Sequence, residues 1–129
     1  MAERPEGGWE KSPPELMERF ETGTAWLTTE PGVERRKMFG YPACFVDGHL
    51  FTSLFRDRWV VRLPDEARAE LSTQGGEAFS PMAGRPMTGY LLLPPELATP
   101  DAAHPWIERA LAHARSLPPK KKRSVRSNR

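Results

Sequence analysis

Cys44 and His49 are the two side chains in this sequence that could act together as nucleophile and base. A reactive thiolate needs a base within hydrogen-bond reach, and the base needs a third group to orient it. Asp47-Gly48 lies between them and reads as a two-residue turn. Cys44 and His49 then become a diagonal pair on one sheet face, with backbones roughly 7–8 Å apart. That is long for a thiol–imidazole hydrogen bond, and no carboxylate is placed to orient the ring. A lone strand cysteine ordinarily serves as a small buried apolar group. Metal chemistry has no better footing. His49, His104 and His113 are scattered, and one cysteine does not build a zinc site. Asp101 and His104 could meet at a helix start, where capping by Asp101 is the ordinary role. Gly75-Gly76 and Gly84 lack both a phosphate-loop lysine and a GxGxxG spacing. Glu15, Glu18, Glu66, Glu70 and Glu108 fall on helix exteriors. These residues predict a non-enzymatic protein with no metal and no cofactor.

Charge offers the second candidate. Lys120, Lys121, Lys122, Arg123, Arg126 and Arg129 all lie in the last ten residues. Without these six, thirteen basic residues face seventeen acidic ones, so the overall charge of +2 hides a mildly acidic body. The basic run could contact nucleic-acid phosphates with salt-sensitive, sequence-independent affinity, aided by Arg35, Arg36 and Lys37. The plain alternative is a solvated end that keeps the chain soluble.

The elements that position these groups follow from periodicity and turn residues. Residues 1–11 read as a flexible N-terminal segment, in which Trp9 could pack on the domain. Ser12-Pro13-Pro14-Glu15 reads as a helix start, with Ser12 as cap and Glu15 completing a capping box. Leu16, Phe20 and Leu27 keep helical spacing to about Thr28, before Pro31-Gly32. Strands are expected over Glu34–Phe39, Tyr41–Val46, His49–Phe55 and Arg58–Leu63, with turns at Asp47-Gly48 and Arg56-Asp57. A short helix follows over Asp65–Ser72, then a fifth strand over Met87–Leu93. The last helix carries Ile107, Ala110, Leu111 and Ala114 on one face and starts near Asp101 to His104, which puts Pro105 in its first turn. The order is α-β4-α-β-α, an α+β fold built on an antiparallel β-meander with flanking helices. Residues 12–118 form the domain and residues 119–129 a basic disordered tail.

With two-residue hairpin loops, Cys44 opposes Phe51 and Leu54 opposes Trp59. One sheet face then collects Ala43, Phe45, Leu50, Thr52, Leu54, Trp59, Val61 and Leu63, a core for helices to cover. The other collects Cys44, Val46, His49, Phe51, Ser53, Phe55, Arg58, Val60 and Arg62. This mixed face is either covered by a helix, a loop or the N-terminal segment, or left open for a second subunit or another protein. Phe51, Phe55, Arg58 and Arg62 are its candidate partner contacts.

Bulk properties bound the class. At 129 residues the chain is the size of one domain and needs no disulfide to fold, and a single cysteine allows none within the chain. The polar N-terminus argues against a signal peptide and no apolar run is long enough to span a membrane, so a cytoplasmic monomer or homodimer is expected.

The run Arg35-Arg36-Lys37-Met38-Phe39-Gly40, followed by Phe45-Val46-Asp47-Gly48-His49-Leu50-Phe51, resembles the TfoX N-terminal domain family (TfoX/Sxy). Leu63-Pro64-Asp65-Glu66-Ala67-Arg68 is similar to that family's helix after the meander. Met87 to Pro95 resembles its tyrosine-containing late strand, and Trp106-Ile107-Glu108-Arg109-Ala110-Leu111 its closing helix. The likeness runs from about Leu16 to Leu117. One departure is Tyr41-Pro42, where the family often has a second glycine after Met-Phe-Gly. The resemblance implies a curved antiparallel sheet with helices, similar to secretion-chaperone-like folds. It also implies a bacterial cytoplasmic protein tied loosely to transcriptional or competence regulation, with no catalytic residues to transfer. A basic tail in place of the founding regulators' further C-terminal domain is a second departure, and a stand-alone N-terminal-type protein is expected. Met38 and Phe39 are read as strand-end core residues and Gly40 as the turn.

Overall fold

The computed structural model describes residues 11–80 and 87–118. The expectations placed on Trp9 and on the basic run 120–129 lie outside these residues. Helix α1 (Pro14–Thr24) runs into a 3-10 turn over Ala25–Thr29. A meander follows: β1 (Val33–Met38), β2 (Tyr41–Val46), β3 (His49–Phe55) and β4 (Arg58–Arg62). Then come α2 (Asp65–Thr73), β5 (Glu77–Ala78), β6 (Tyr90–Leu92) and α3 (Pro100–Ser116). The six strands form one antiparallel sheet in the order β1-β2-β3-β4-β6-β5. The fold class expected from the sequence is the one observed. The two-residue β5 is an addition, and β6 slots between it and β4.

Local chemistry explains where the elements start and stop. Helix α1 begins one residue later than the capping pattern suggests. Pro14 pushes the residue before it into extended backbone, and Pro13 sits at φ −59°, ψ 143° as the cap position. Ser12 is therefore displaced from the cap and makes no capping hydrogen bond. Helix α3 is capped by Thr99, whose Oγ1 accepts from the Ala102 N–H at 3.3 Å, so Asp101 is not the cap. Its true start at Pro100 leaves Pro105 inside the helix, beyond the first turn. All three meander hairpins close through two-residue loops with positive φ. Asp47 and Gly48 lie at 53° and 85°, Phe39 and Gly40 at 59° and 85°, and Arg56 at 56°. Phe39 is thus a turn residue and not a strand-end core residue.

A β-bulge corrects the expected division of the sheet into faces. Val46 pairs with His49 and Phe45 with Leu50, but Cys44 pairs with Thr52 and Ala43 with Ser53. Phe51 is the extra residue on β3. One added residue flips every side chain on one side of it relative to the other. Cys44 and Val46 therefore share the face of Thr52, Leu54, Trp59 and Val61, while Ala43, Phe45 and Leu50 join Ser53, Phe55, Arg58, Val60 and Arg62.

Helices α1 and α3 cover the first of these faces. Phe20 meets the wholly buried Trp59 at a ring-centroid distance of 5.2 Å. Trp59 Nε1 donates to Thr52 Oγ1 at 3.0 Å, and that hydroxyl donates to the Val60 carbonyl at 2.8 Å. Gly23 allows this approach, because a Cβ there would lie 2.9 Å from the Trp59 ring and 3.2 Å from Pro100 Cα. On the opposite face an aromatic file runs Tyr41–Phe55–Phe79–Tyr90, with centroids 5.3, 5.2 and 6.4 Å apart in turn. Phe79, just after β5, is buried against this face and closes over its centre. Tyr90 Oη donates to the Leu50 carbonyl at 3.3 Å, tying the late strand to the first hairpins.

Candidate partner-binding cleft at the first hairpin

The turn between β1 and β2 carries the large apolar side chain that this backbone position least favours. A bulky residue in the left-handed region is uncommon and costs roughly 1–2 kcal/mol relative to an ordinary conformation. Phe39 holds that conformation and remains 51% exposed. Met17, on the outer side of α1, is 41% exposed. Both line a single cleft of about 440 Å³ together with Lys11, Ser12, Lys37, Gly40, Tyr41 and Pro42. Ser12 adds a polar element: its Oγ is buried and has no hydrogen-bond partner among the described residues. Lys11 and Lys37 are the charged residues of the lining.

The residues expected to face a partner are distributed otherwise. Phe51 is completely buried, and Phe55 is 8% exposed beneath Phe79. Arg58 reaches Glu77 at 2.7 Å and the Leu93 carbonyl at 3.1 Å, so it ties β4 to β5 and to the end of β6. Arg62 lies over the Tyr90 ring at 5.5 Å. In the first basic cluster, Arg35 is held by Glu21 at 2.8 Å and Thr24 at 2.9 Å, and Arg36 lies 4.1 Å over the Phe45 ring. Lys37 reaches the cleft.

Cys44 and His49 make no couple. Burial is the main reason the Cys44 thiol is pushed up to about 11; Arg35 opposes this and Glu21 adds to it. The His49 Nε2 lies 2.6 Å from the Pro118 carbonyl oxygen. A thiol in this state stays protonated and unreactive at neutral pH. Its raised value links to stability with a definite sign. The unfolded thiol ionises near 9.0 while the folded one keeps its proton until about 11. Stability is therefore fully present below pH 9 and falls between about 9 and 11, on the order of 2–3 kcal/mol at most. Urea titrations at pH 8 and pH 10.5 should show a drop in the wild type that is smaller in Cys44→Ala. Equal drops in the two proteins would remove Cys44 as its source.

Among the described residues, no three His, Cys, Asp or Glu side chains gather as a metal site, and no helix is long and apolar enough to cross a membrane. Residues 26–114 match the family model of the TfoX N-terminal domain. The chain belongs to the TfoX N-terminal domain family. The matched span includes the hairpin with Phe39, the whole sheet, α2 and most of α3. It excludes α1, so Lys11, Ser12 and Met17 complete the cleft from outside the part shared with the TfoX model. No curated protein and no solved structure matches the chain. Sequence reasoning missed this cleft because Met17 belongs to the outer side of a helix and Phe39 resembles the end of a strand. The available signal was the glycine after Phe39, which permits a two-residue turn.

Proposed function

We propose that this TfoX N-terminal domain is a non-enzymatic regulatory or adaptor module that captures a protein partner in the cleft of Met17, Phe39 and Tyr41. One observation carries the reading: the two exposed large apolar side chains of the described residues, Met17 and Phe39, line the same cleft. Scattered apolar exposure is ordinary, whereas a shared concave site is characteristic of recognition. The unusual backbone at Phe39 supports the same reading, because a turn glycine or asparagine would adopt it with less strain. The lining suits a segment with one apolar side chain beside a carboxylate, the latter facing Lys11 and Lys37, with Ser12 available to a backbone group. Family membership favours a regulatory role, with a loose link to transcription or competence.

The test is affinity capture with the wild type and Phe39→Asp, with circular dichroism melts on both. Truncating or charging an anchor of this kind costs about 2 kcal/mol or more of binding, roughly 30-fold. The expected result is loss of the captured partner at an unchanged melting temperature. Capture of the same partner by both proteins at the same strength rules the cleft out.

A second reading rests on the six basic residues among positions 120–129. In it, this run contacts nucleic-acid phosphates without reading sequence. Duplex DNA binding, followed by fluorescence anisotropy, should fall steeply between low and physiological salt and vanish when the chain ends at Pro118. Affinity that is independent of salt, or that survives the truncation, counts against it.

A further inference from the structure

A second groove lies across the molecule, where the end of β4, the start of α2, residues 88–89 and the last turn of α3 come together. It measures about 550 Å³ and is lined by Arg62, Pro64, Asp65, Glu66, Arg68, Thr88, Gly89 and His113. That volume is in the range of small-ligand sites. We infer that this groove is an oxyanion site for the phosphoryl group of a small phosphate monoester, gripped by Arg62, Arg68 and His113.

The two arginines converge on Gly89. A Cβ built there would lie 3.8 Å from Arg68 Nη1 and 3.9 Å from Arg62 Nε, so the two guanidinium groups flank one short stretch of backbone. Gly89 has φ +94°, which glycine adopts without strain. The two arginines are held differently, and Arg62 keeps its charge uncompensated while Arg68 shares Asp65. Arg62 lies over the Tyr90 ring and, among the described residues, makes no ion pair with a carboxylate. Arg68 Nη1 donates to the Leu63 carbonyl at 2.7 Å, and its other terminal nitrogen pairs with Asp65. A planar guanidinium fixed in this way is preorganised for the forked recognition of an oxyanion.

His113 registers the same field. It sits in the last helical turn, where the helix dipole favours a cation, yet its pKa is lowered. Burial is the first cause, followed by Arg62 and Arg68; Asp65 opposes them and His49 adds a little in the same direction. Of the acidic side chains nearby, Asp65 is already paired with Arg68, and Glu70 is taken by Arg109 at 3.0 Å. Glu66 is the other carboxylate of the groove's lining. An anion held between the arginines would relieve the repulsion and let His113 take up a proton as a third contact.

The chemistry selects a phosphoryl group. A phosphate monoester carries close to two negative charges near neutral pH and three strong acceptor oxygens, enough for the fork of Arg62, the remaining N–H groups of Arg68 and an imidazolium. A carboxylate is saturated by one fork. Asp65 and Glu66 beside the groove repel an extended polyanion, which favours a compact ligand over a nucleic-acid strand.

The test follows the ring signals of His113 by NMR on the full chain, titrating pH with and without inorganic phosphate at constant ionic strength. Phosphate is expected to raise the His113 pKa by about one pH unit or more, the usual effect of an opposite charge within roughly 4–6 Å. The ring signals of His104, which lies elsewhere beside Glu108, serve as an internal reference. Arg62→Gln and Arg68→Gln should each abolish the rise, and the wild-type titration stands alone if either variant fails to fold. No rise in the wild type overturns the proposal. An equal rise with acetate overturns its phosphoryl selectivity. A stronger response to a DNA oligonucleotide than to phosphate overturns the small-ligand assignment.

Discussion

Trp59→Ala should lower the stability of this domain by about 3–5 kcal/mol, the usual range for removing a large aromatic side chain from a core. The indole is wholly buried and joins α1 to two strands of the sheet. Its ring packs on Phe20 of α1 at 5.2 Å, its tip faces Gly23, and its Nε1 donates to Thr52 on the neighbouring strand. Removal opens a cavity that close-packed helices cannot fill and deprives the Thr52 hydroxyl of a donor. Small domains have about 5–15 kcal/mol in total, so this variant should sit near the edge of folding at 37 °C. Urea denaturation followed by circular dichroism checks it: the midpoint falls and the slope stays constant. A loss under about 1 kcal/mol would contradict the packing described here. Gly23→Val probes the same contact from the other side. Its added methyl groups must enter space already held by the Trp59 ring and the Pro100 backbone, so it should destabilise by about 1–3 kcal/mol.

The second large effect separates two phenylalanines. Phe51→Asp should prevent folding at neutral pH, while Phe39→Asp should leave the melting temperature within a few degrees of wild type. Phe51 has no exposed surface and sits at the bulge where β2 and β3 change register. An aspartate there loses the aromatic packing and places a carboxylate where no compensating charge has been provided. The combined loss exceeds about 4–5 kcal/mol, at the extreme of single-residue effects. Phe39 already faces solvent over half of its surface, so a charge there is readily hydrated. Circular dichroism and one-dimensional NMR of the two purified variants decide the matter. A folded Phe51→Asp with wild-type melting would mean that the bulge residue is accessible and that the face first expected to meet a partner is open after all.

The same contrast shows how far the amino-acid sequence reaches. Asp47-Gly48 specified its hairpin from two residues, because both tolerate positive φ and that geometry matches the twist of the flanking strands. The strands Tyr41–Val46 and His49–Phe55 follow from it. The helix after the meander and the apolar stripe of α3 were equally legible, since side-chain periodicity is a local property. The Met-Phe-Gly run with its hairpin pointed to the TfoX N-terminal domain family before any fold was visible.

What only the tertiary structure decided depends on parity and on distance along the chain. The bulge at Phe51 adds one residue to β3, and with a period of two that single residue moves Cys44 and Val46 to the helix face and Phe45 and Leu50 away from it. Nothing in residues 43–53 announces it, because register is a property of how β2 and β3 pair and not of either strand's local pattern. Phe39 was hidden for the opposite reason: its type suits a strand, while its place between paired Met38 and Tyr41 puts it in a turn. The cover supplied by Phe79, the insertion of β6 between β4 and β5, and the meeting of Arg62, Arg68 and His113 are all contacts between segments that local propensity treats separately. Local backbone preference wrote the elements of this protein, and long-range packing chose which of their side chains face the solvent.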